Sequence, residues 1–465
     1  MKKSDSEQPI VPPVDFDPPS NGEFCPLPPS ELGTRRHELW RGLVEEKHRR
    51  LGLSRRAFAE SACGTAAWLY TLSQVPACGG ESGGYTVSPD AMEDMARARE
   101  MLAHDPFVFD VQTHTPDVEI RPWPEKDPPQ VVLDFLKIVF VQSNTTVACL
   151  SGVPDARSIG IPNVQAKAYL QELIDRVAGP RIIFHCNAEP AREGEPDFMS
   201  QAVEMYKNVG AWKTYPQGPN HGLDHPDSAP FLERAQSLGV RVVASHRGIS
   251  QNGDYLSPGS PLDVVRAAKA FPEIKFLVYH SGWEFNFDEN HPYTDLGDQT
   301  QGVDRFIKAL QAHEIGPGGN VYAELGTTWF NLIGNSEQAG HVLGKLLAQL
   351  GPDRIVWGTD TVFNGIGQPQ IDAFWMYEIP APIAPLYPAL GTEVKRKILG
   401  LNGAAVYGVD PTATRYALAN DDIEKLRLAY RDDPASVPMP HPRQYVGPRT
   451  RREFLAFVRR QPGTV

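Results

Sequence analysis

Cysteine is scarce in this 465-residue chain, with five in all: Cys25, Cys63, Cys78, Cys149 and Cys186. No two are spaced as Cys-x-x-Cys, which excludes a disulfide scaffold and a thiolate zinc site. Excess positive charge is missing too. The 45 basic residues against 57 acidic ones leave a net −12, and no basic cluster supplies the footprint of a phosphate backbone. Nucleic acid is therefore not an expected partner. Between residues 88 and 410 no uncharged apolar stretch reaches the ~20 residues that cross a bilayer. An apolar content of 41% is still enough for a sizeable core. The length accommodates a barrel of roughly 250–330 residues with flanking segments.

Residues 1–84 read as a disordered N-terminal region that need not pack. Their first fifty positions are rich in Pro, Ser and Glu and then in charge. Within about 53–80, Ser54-Arg55-Arg56-Ala57-Phe58 precedes an uncharged stretch, 61–80, that contains Ala62, Ala66, Ala67, Trp68 and Leu69. A twin arginine before a mildly apolar segment is the pattern of a bacterial export signal. The other reading is a structural amphipathic helix with an incidental arginine pair. Export would make the twin-arginine machinery a partner and place the protein in the periplasm or at a membrane. Small residues lead into Cys78. That spacing fits a lipid anchor at Cys78, a plain cleavage site, or an ordinary cysteine. Residues 79–84 read as a flexible linker.

From residue 88 the pattern changes. Eight short apolar runs, at 107–114, 146–151, 181–185, 209–213, 240–246, 275–280, 320–324 and 354–360, alternate with helical periodicities. The helical patterns fall at 89–102, 130–141, 164–177, 198–206, 228–238, 262–271, before 313, at 337–350 and at 395–407. Strands of this kind are buried on both faces and parallel. The alternation predicts an α/β fold, a (β/α)8 TIM barrel spanning 88–410. A helical tail, 411–465, would pack outside it or at the contact of a homodimer.

Parallel barrels build their sites from residues at the C-terminal ends of the strands. Those ends carry Gln112, His114, His185, Lys213, His246, His280, Glu324 and Asp360. One strand-end histidine is usually a hydrogen-bonded structural group. His114, His246, His280 and Asp360, at the ends of strands one, five, six and eight, together form a ligand set for one divalent ion, Zn²⁺ or alternatively Mn²⁺. Such an ion would lower the pKa of a bound water toward ~7 and polarise a substrate oxygen. The loops at 282–300 and 361–390 bring Trp283, Phe285, Phe287, Phe363 and Trp375. These aromatics fit an aromatic or apolar substrate, or loop packing alone. Arg247, next to His246, is either an anchor for a carboxylated substrate or a surface arginine.

The order x-x-His114, His246, His280 and Gly358-Thr359-Asp360 resembles the amidohydrolase-related superfamily (amidohydrolase 2). Within it the likeness is to the aminocarboxymuconate-semialdehyde decarboxylase-like branch. Leu399-Gly400-Leu401-Asn402, running on to Tyr407, resembles that branch's closing helix, and the likeness spans about 105–410. The resemblance implies a metal-dependent hydrolase barrel in which His114, His246 and Asp360 hold the ion. His280 would act as acid, base or substrate-polarising imidazole, and Asp360 would also take a proton. By their strand-end and loop positions, Lys213, His185, Arg247, Glu324 and Trp283 are the candidate substrate-binding residues. Lys213 lies where the branch often has Lys-x-His-Pro and would meet substrate charge or support the ligands.

One position departs from the pattern. The family has His-x-His on strand one, and some decarboxylases have Glu-x-His, whereas this chain has Gln112-Thr113-His114. A carboxamide oxygen is a weak neutral ligand. Either three residues hold the ion with Gln112 at long range, or His185 compensates, or the metal is lost. The implied activity is hydrolysis of a small aromatic or carboxylated molecule through a metal-activated water. Non-oxidative decarboxylation on the same site is the alternative within enzymes. A non-catalytic exported binding protein on a degenerate barrel is the alternative outside them.

Overall fold

The computed structural model describes residues 10–22, 24–76, 84–115, 128–152, 181–215, 222–249, 259–285, 287–294, 300–440 and 446–459. Eight strands form one sheet in chain order: β1 (Val108–His114), β2 (Thr145–Ser151), β3 (Ile182–Ala188), β4 (Val209–Thr214), β5 (Val242–His246), β6 (Lys275–Tyr279), β7 (Val321–Glu324) and β8 (Ile355–Val356). Each pairs in parallel with the next. Every residue of β1 is buried, as a strand covered on both faces must be.

The chain after β8 closes the sheet onto β1. Val111 donates its amide to the Trp357 carbonyl at 2.9 Å, Asp360 to Gln112 at 2.9 Å, and His114 to Thr361 at 2.6 Å. The seam is irregular because a side chain takes part in it. Asp110 accepts the amides of Gln112 (3.0 Å) and Thr359 (3.1 Å) and the Thr359 hydroxyl. Gly358 leaves room for the Glu324 carboxylate of β7, since a Cβ there would lie 1.8 Å from Glu324 Oε1. This is the (β/α)8 barrel expected from the alternation.

The helices before β1 are α1 (Glu31–Arg50), α2 (Arg55–Ala59), α3 (Ala62–Gln74) and α4 (Met95–Met101). Around the barrel run α5 (Pro128–Leu136), α6 (Glu195–Met205), α7 (Ala229–Ser237), α8 (Leu262–Ala270), α9 (Gly302–Ala312), α10 (Gly326–Leu332), α11 (Ser336–Leu350), α12 (Gly367–Met376), α13 (Thr392–Arg396) and α14 (Asn402–Tyr407). The tail holds α15 (Pro411–Leu418), α16 (Asp422–Asp432) and α17 (Arg451–Arg459). It lies on the outside of the barrel, where Asp421 takes the Arg181 guanidinium at 2.6 and 2.9 Å. The helix expected at 164–177, Cys78 and most of the linker lie outside the described residues.

The N-terminal region departs from its expected disorder. Trp40 and Val44 of α1, Phe58 of α2, and Cys63, Ala66, Ala67, Trp68 and Leu69 of α3 are buried in the main core. Average composition hid this. The buried positions of α1, Gly33, Arg36, Trp40 and Val44, recur every three or four residues and form a single stripe on an otherwise charged helix. Ser30 caps it by accepting the Gly33 amide, and its last turn is basic, as the helix dipole favours. Arg36 is buried and donates to the Val75 carbonyl at 2.9 Å. Arg55 pairs with Glu45 at 2.6 Å and Arg56 with Glu60 at 2.9 Å. No helix among the described residues is long and apolar enough to cross a membrane.

Candidate active site

A bulge in β1 breaks the alternation between Asp110, opposite Ala148, and Thr113, opposite Leu150, and Asp110, Gln112 and His114 are all buried. At the far side of the seam Asp360 sits in the left-handed region, φ 58°, as do His280 (φ 64°) and Ser281 (φ 53°) after β6. Non-glycine residues accept that conformation only where the surroundings hold them, and such positions gather at functional sites. Here the holders are visible. The Asp360 carbonyl accepts the amides of Phe363 (3.1 Å) and Asn364 (3.2 Å). The His280 amide donates to Glu324 Oε2 at 3.0 Å, and its carbonyl accepts the Thr328 hydroxyl at 2.8 Å.

The central pair is His114 and Asp360. His114 Nδ1 lies 3.1 Å from the Ser151 carbonyl, which can only accept, so the ring proton sits on Nδ1. Nε2 lies 3.1 Å from Asp360 Oδ1. Two lone-pair-bearing atoms therefore converge, and a proton or another cation between them is required. Asp360 Oδ2 accepts the Thr327 hydroxyl and, at 2.9 Å, the Asn21 carboxamide. Phe363 stacks on the His114 ring with centroids 5.5 Å apart.

A second pair lies at the ends of β5 and β6: the His246 and His280 rings meet edge to face at 4.7 Å, with Tyr215 beside His246 at 5.6 Å. A third cluster joins the ends of β1, β4 and β7. The Gln112 carboxamide, oriented with its nitrogen toward Glu324, donates to both carboxylate oxygens at 3.0 and 3.1 Å. Burial pushes Glu324 up to about 8 and Asp110 up to about 7, the nearby Lys213 charge offsetting only part of the cost for Glu324. Lys213 is fully buried, its Nζ 3.3 Å from the centroid of the Tyr279 ring.

Some expected residues have other employment. Gln112 is directed to Glu324 rather than to the His114–Asp360 pair. His185 is a buried hub, bonded to Ser151 Oγ (3.0 Å), Tyr279 (3.1 Å) and Tyr407 (2.7 Å). Burial holds its pKa well below the usual value, so it is a neutral ring gripped on both nitrogens. Arg247 is neither a surface residue nor an open anion anchor. It is buried and bound to Asp263 through Nε at 2.8 Å and through a second, shorter contact. Trp283 is buried and packs on Phe285, centroids 4.7 Å apart. A cavity of about 560 Å³ lies elsewhere, between residues 25–29, Phe285 and residues 449–451, and touches none of the strand-end residues.

Most of the barrel has a counterpart among known proteins. The Amidohydro_2 family model, described as amidohydrolase, matches residues 155–409, more than half of the chain. This chain belongs to the amidohydrolase family. No curated protein matches it. Among solved structures it is similar to a candidate 2-pyrone-4,6-dicarboxylic acid hydrolase from Pseudomonas putida, with 16% identity, TM-score 0.44, 66% of this chain and 98% of that one. It is also similar to 2,6-dihydroxybenzoate decarboxylase from Rhizobium, with 14% identity, TM-score 0.40, 66% and 99%. A third is 5-carboxyvanillate decarboxylase from Sphingomonas paucimobilis, with 14% identity, TM-score 0.37, 65% and 99%. These likenesses are too distant to carry substrate or mechanism.

Amidohydrolases of this family are generally metal-dependent. His114 and Asp360 fit two ligands of such an ion: the Nδ1 proton is anchored, and the facing Nε2 and Oδ1 are separated by the distance that two metal-bound atoms keep. The wider set is not drawn in. Among the described residues no three His, Cys, Asp or Glu side chains stand close enough together to hold an ion. Sequence reasoning missed Asn21 and Thr327, which hold Asp360, and Asp110, which stitches the seam. Asn21, 339 positions from its partner, offers no sequence signal.

Proposed function

We propose that this amidohydrolase is a metal-dependent hydrolase of a small, aromatic-bearing substrate, and that His114 and Asp360 hold the ion. The observation that carries the reading is the convergence of His114 Nε2 and Asp360 Oδ1 at 3.1 Å with the Nδ1 proton fixed on Ser151. Bound there, the ion would polarise a substrate oxygen and acidify a water. His246 and His280, in ring contact, would complete the mouth, His280 as the proton-handling imidazole. Phe363, stacked on His114, supports an aromatic substrate. Arg247, engaged with Asp263, gives no support to a carboxylate anchor, and Lys213 takes that place in the proposal.

Non-oxidative decarboxylation is the second reading, favoured by Glu324. With its pKa pushed up to about 8, it keeps a proton at neutral pH, and that reaction needs an acid to protonate the carbon that loses CO₂. A panel of esters, lactones, amides and aromatic carboxylates, read for acid release against CO₂ release, tests both. Acid release supports the hydrolase and CO₂ release the decarboxylase. Ion binding without turnover across the panel would leave the non-catalytic binder.

We further propose export by the twin-arginine route, supported by Arg55-Arg56 ahead of the uncharged 61–80 stretch. Since α3 lies in the core, the exported protein would keep this segment attached, which counts against processing and a lipid anchor at Cys78. A homodimer is proposed on no structural contact, and sizing in solution decides it.

A further inference from the structure

Residues 10–22 and 24–29 lie between the site and α1 and are pinned at several points. Asp17 Oδ1 accepts the Ser30 amide (3.2 Å) and hydroxyl (2.7 Å) beside the start of α1. Asp15 meets His37 at 3.0 Å and Arg449 at 3.4 Å. Ser20 donates its amide to the Pro448 carbonyl at 2.9 Å and its hydroxyl to the Phe24 carbonyl. Phe24 lies on Phe285, centroids 4.0 Å apart, in the loop that follows His280. Between these anchors Ser20 and Asn21 are almost wholly buried, and Asn21 Nδ2 donates to Asp360 Oδ2 at 2.9 Å.

The energetics of that contact argue against incidental packing. Burying a carboxamide is costly unless it is bonded, and Asn21 uses a donor on a carboxylate, a stronger bond than a neutral pair makes. With Thr327 on the same oxygen, Oδ2 is occupied by donors while Oδ1 faces His114 Nε2. The two ends of the carboxylate are thereby given different tasks.

We propose that Asn21 is a positioning residue of the active site: it fixes the rotation of the Asp360 carboxylate, which makes the N-terminal segment part of the catalytic unit. The inference rests on the metal-dependent reading above. Groups that support a ligand in this way are worth roughly 10–100-fold in ion affinity.

The test uses the full chain. After chelation, Zn²⁺ and Mn²⁺ are titrated separately into wild type, Asn21→Ala, Asn21→Leu and Asp17→Ala, and the same proteins are melted and assayed on the substrate panel. Asn21→Leu keeps the volume and removes the donor. Asp17→Ala loosens the segment away from the site. The expected result is a loss of about tenfold or more in ion affinity for both Asn21 variants. A fall in kcat with little change in KM should accompany it. Asp17→Ala should lower only the melting midpoint. Asn21 variants with wild-type affinity and wild-type kcat would overturn the proposal while leaving the metal-dependent reading intact. A wild-type chain that neither binds ion nor turns over any substrate would overturn that reading and this proposal together.

Discussion

Nε2 of His114 faces Oδ1 of Asp360 at 3.1 Å across the β1–β8 seam, one side chain from each edge of the closing sheet. The two are joined only if the barrel closes in the observed register, because a one-residue slip of β1 would turn His114 to the other face. The pair therefore reports on fold and chemistry together.

His280→Ala should bind the ion as wild type does and lose about two to four orders of magnitude in turnover, the usual contribution of a positioned proton-transfer group. Ion content and kcat on the active substrate check this. An ion-free His280→Ala protein would reassign the residue as a ligand.

Glu324 predicts a pH dependence of stability. It is an acid whose folded-state value is pushed from 4.5 up to about 8, so the folded protein holds a proton that the unfolded chain releases. Stability is then lost as pH rises from about 4.5 to about 8 and levels off above that range. Glu324→Gln, neutral at every pH, should flatten that slope and melt higher than wild type on the alkaline side. Melting midpoints across the range decide it, and parallel slopes for the two proteins would show that Glu324 ionises freely.

Arg247 carries a prediction about stability rather than specificity. It joins the end of β5 to Asp263 at the start of α8, and Asp263 also accepts the Leu223 amide at 2.8 Å. Arg247→Ala strands a largely buried carboxylate and should cost about 3–5 kcal/mol in denaturant unfolding. Preference among substrates with and without a carboxylate should not change. A shift in that preference would restore the anion-anchor role.

Trp68 tests whether the N-terminal block is part of the folded unit. It is buried in the main core, and Trp68→Ala should cost about 3–5 kcal/mol. Arg55→Lys with Arg56→Lys, the first half-buried and the second exposed and both paired with glutamates, should leave the melt nearly unchanged and retain the protein in the cytoplasm. Normal export of that double variant would reject the targeting proposal.

The barrel was legible because its strands announce themselves twice, as short apolar runs and by the polar residue that ends each one. All eight lie within a few residues of their expected places. The site was legible only in its strand-end members. What those side chains touch depends on register and on residues far away in sequence: Gln112 of β1 meets Glu324 of β7, Arg247 is claimed by Asp263, and His185 by two tyrosines. The folded N-terminal region was missed because one buried stripe on a charged helix barely moves the composition. The Asn21 contact joins a loop to a strand end 339 positions on, and no local pattern encodes it.

The most direct measurement is the ion content of the purified chain after chelation and reloading, compared with His114→Ala and Asp360→Asn. The account predicts one divalent ion per wild-type chain and none in either variant, with all three proteins folded. An ion retained by both variants, or none in a reloaded wild type, would contradict it.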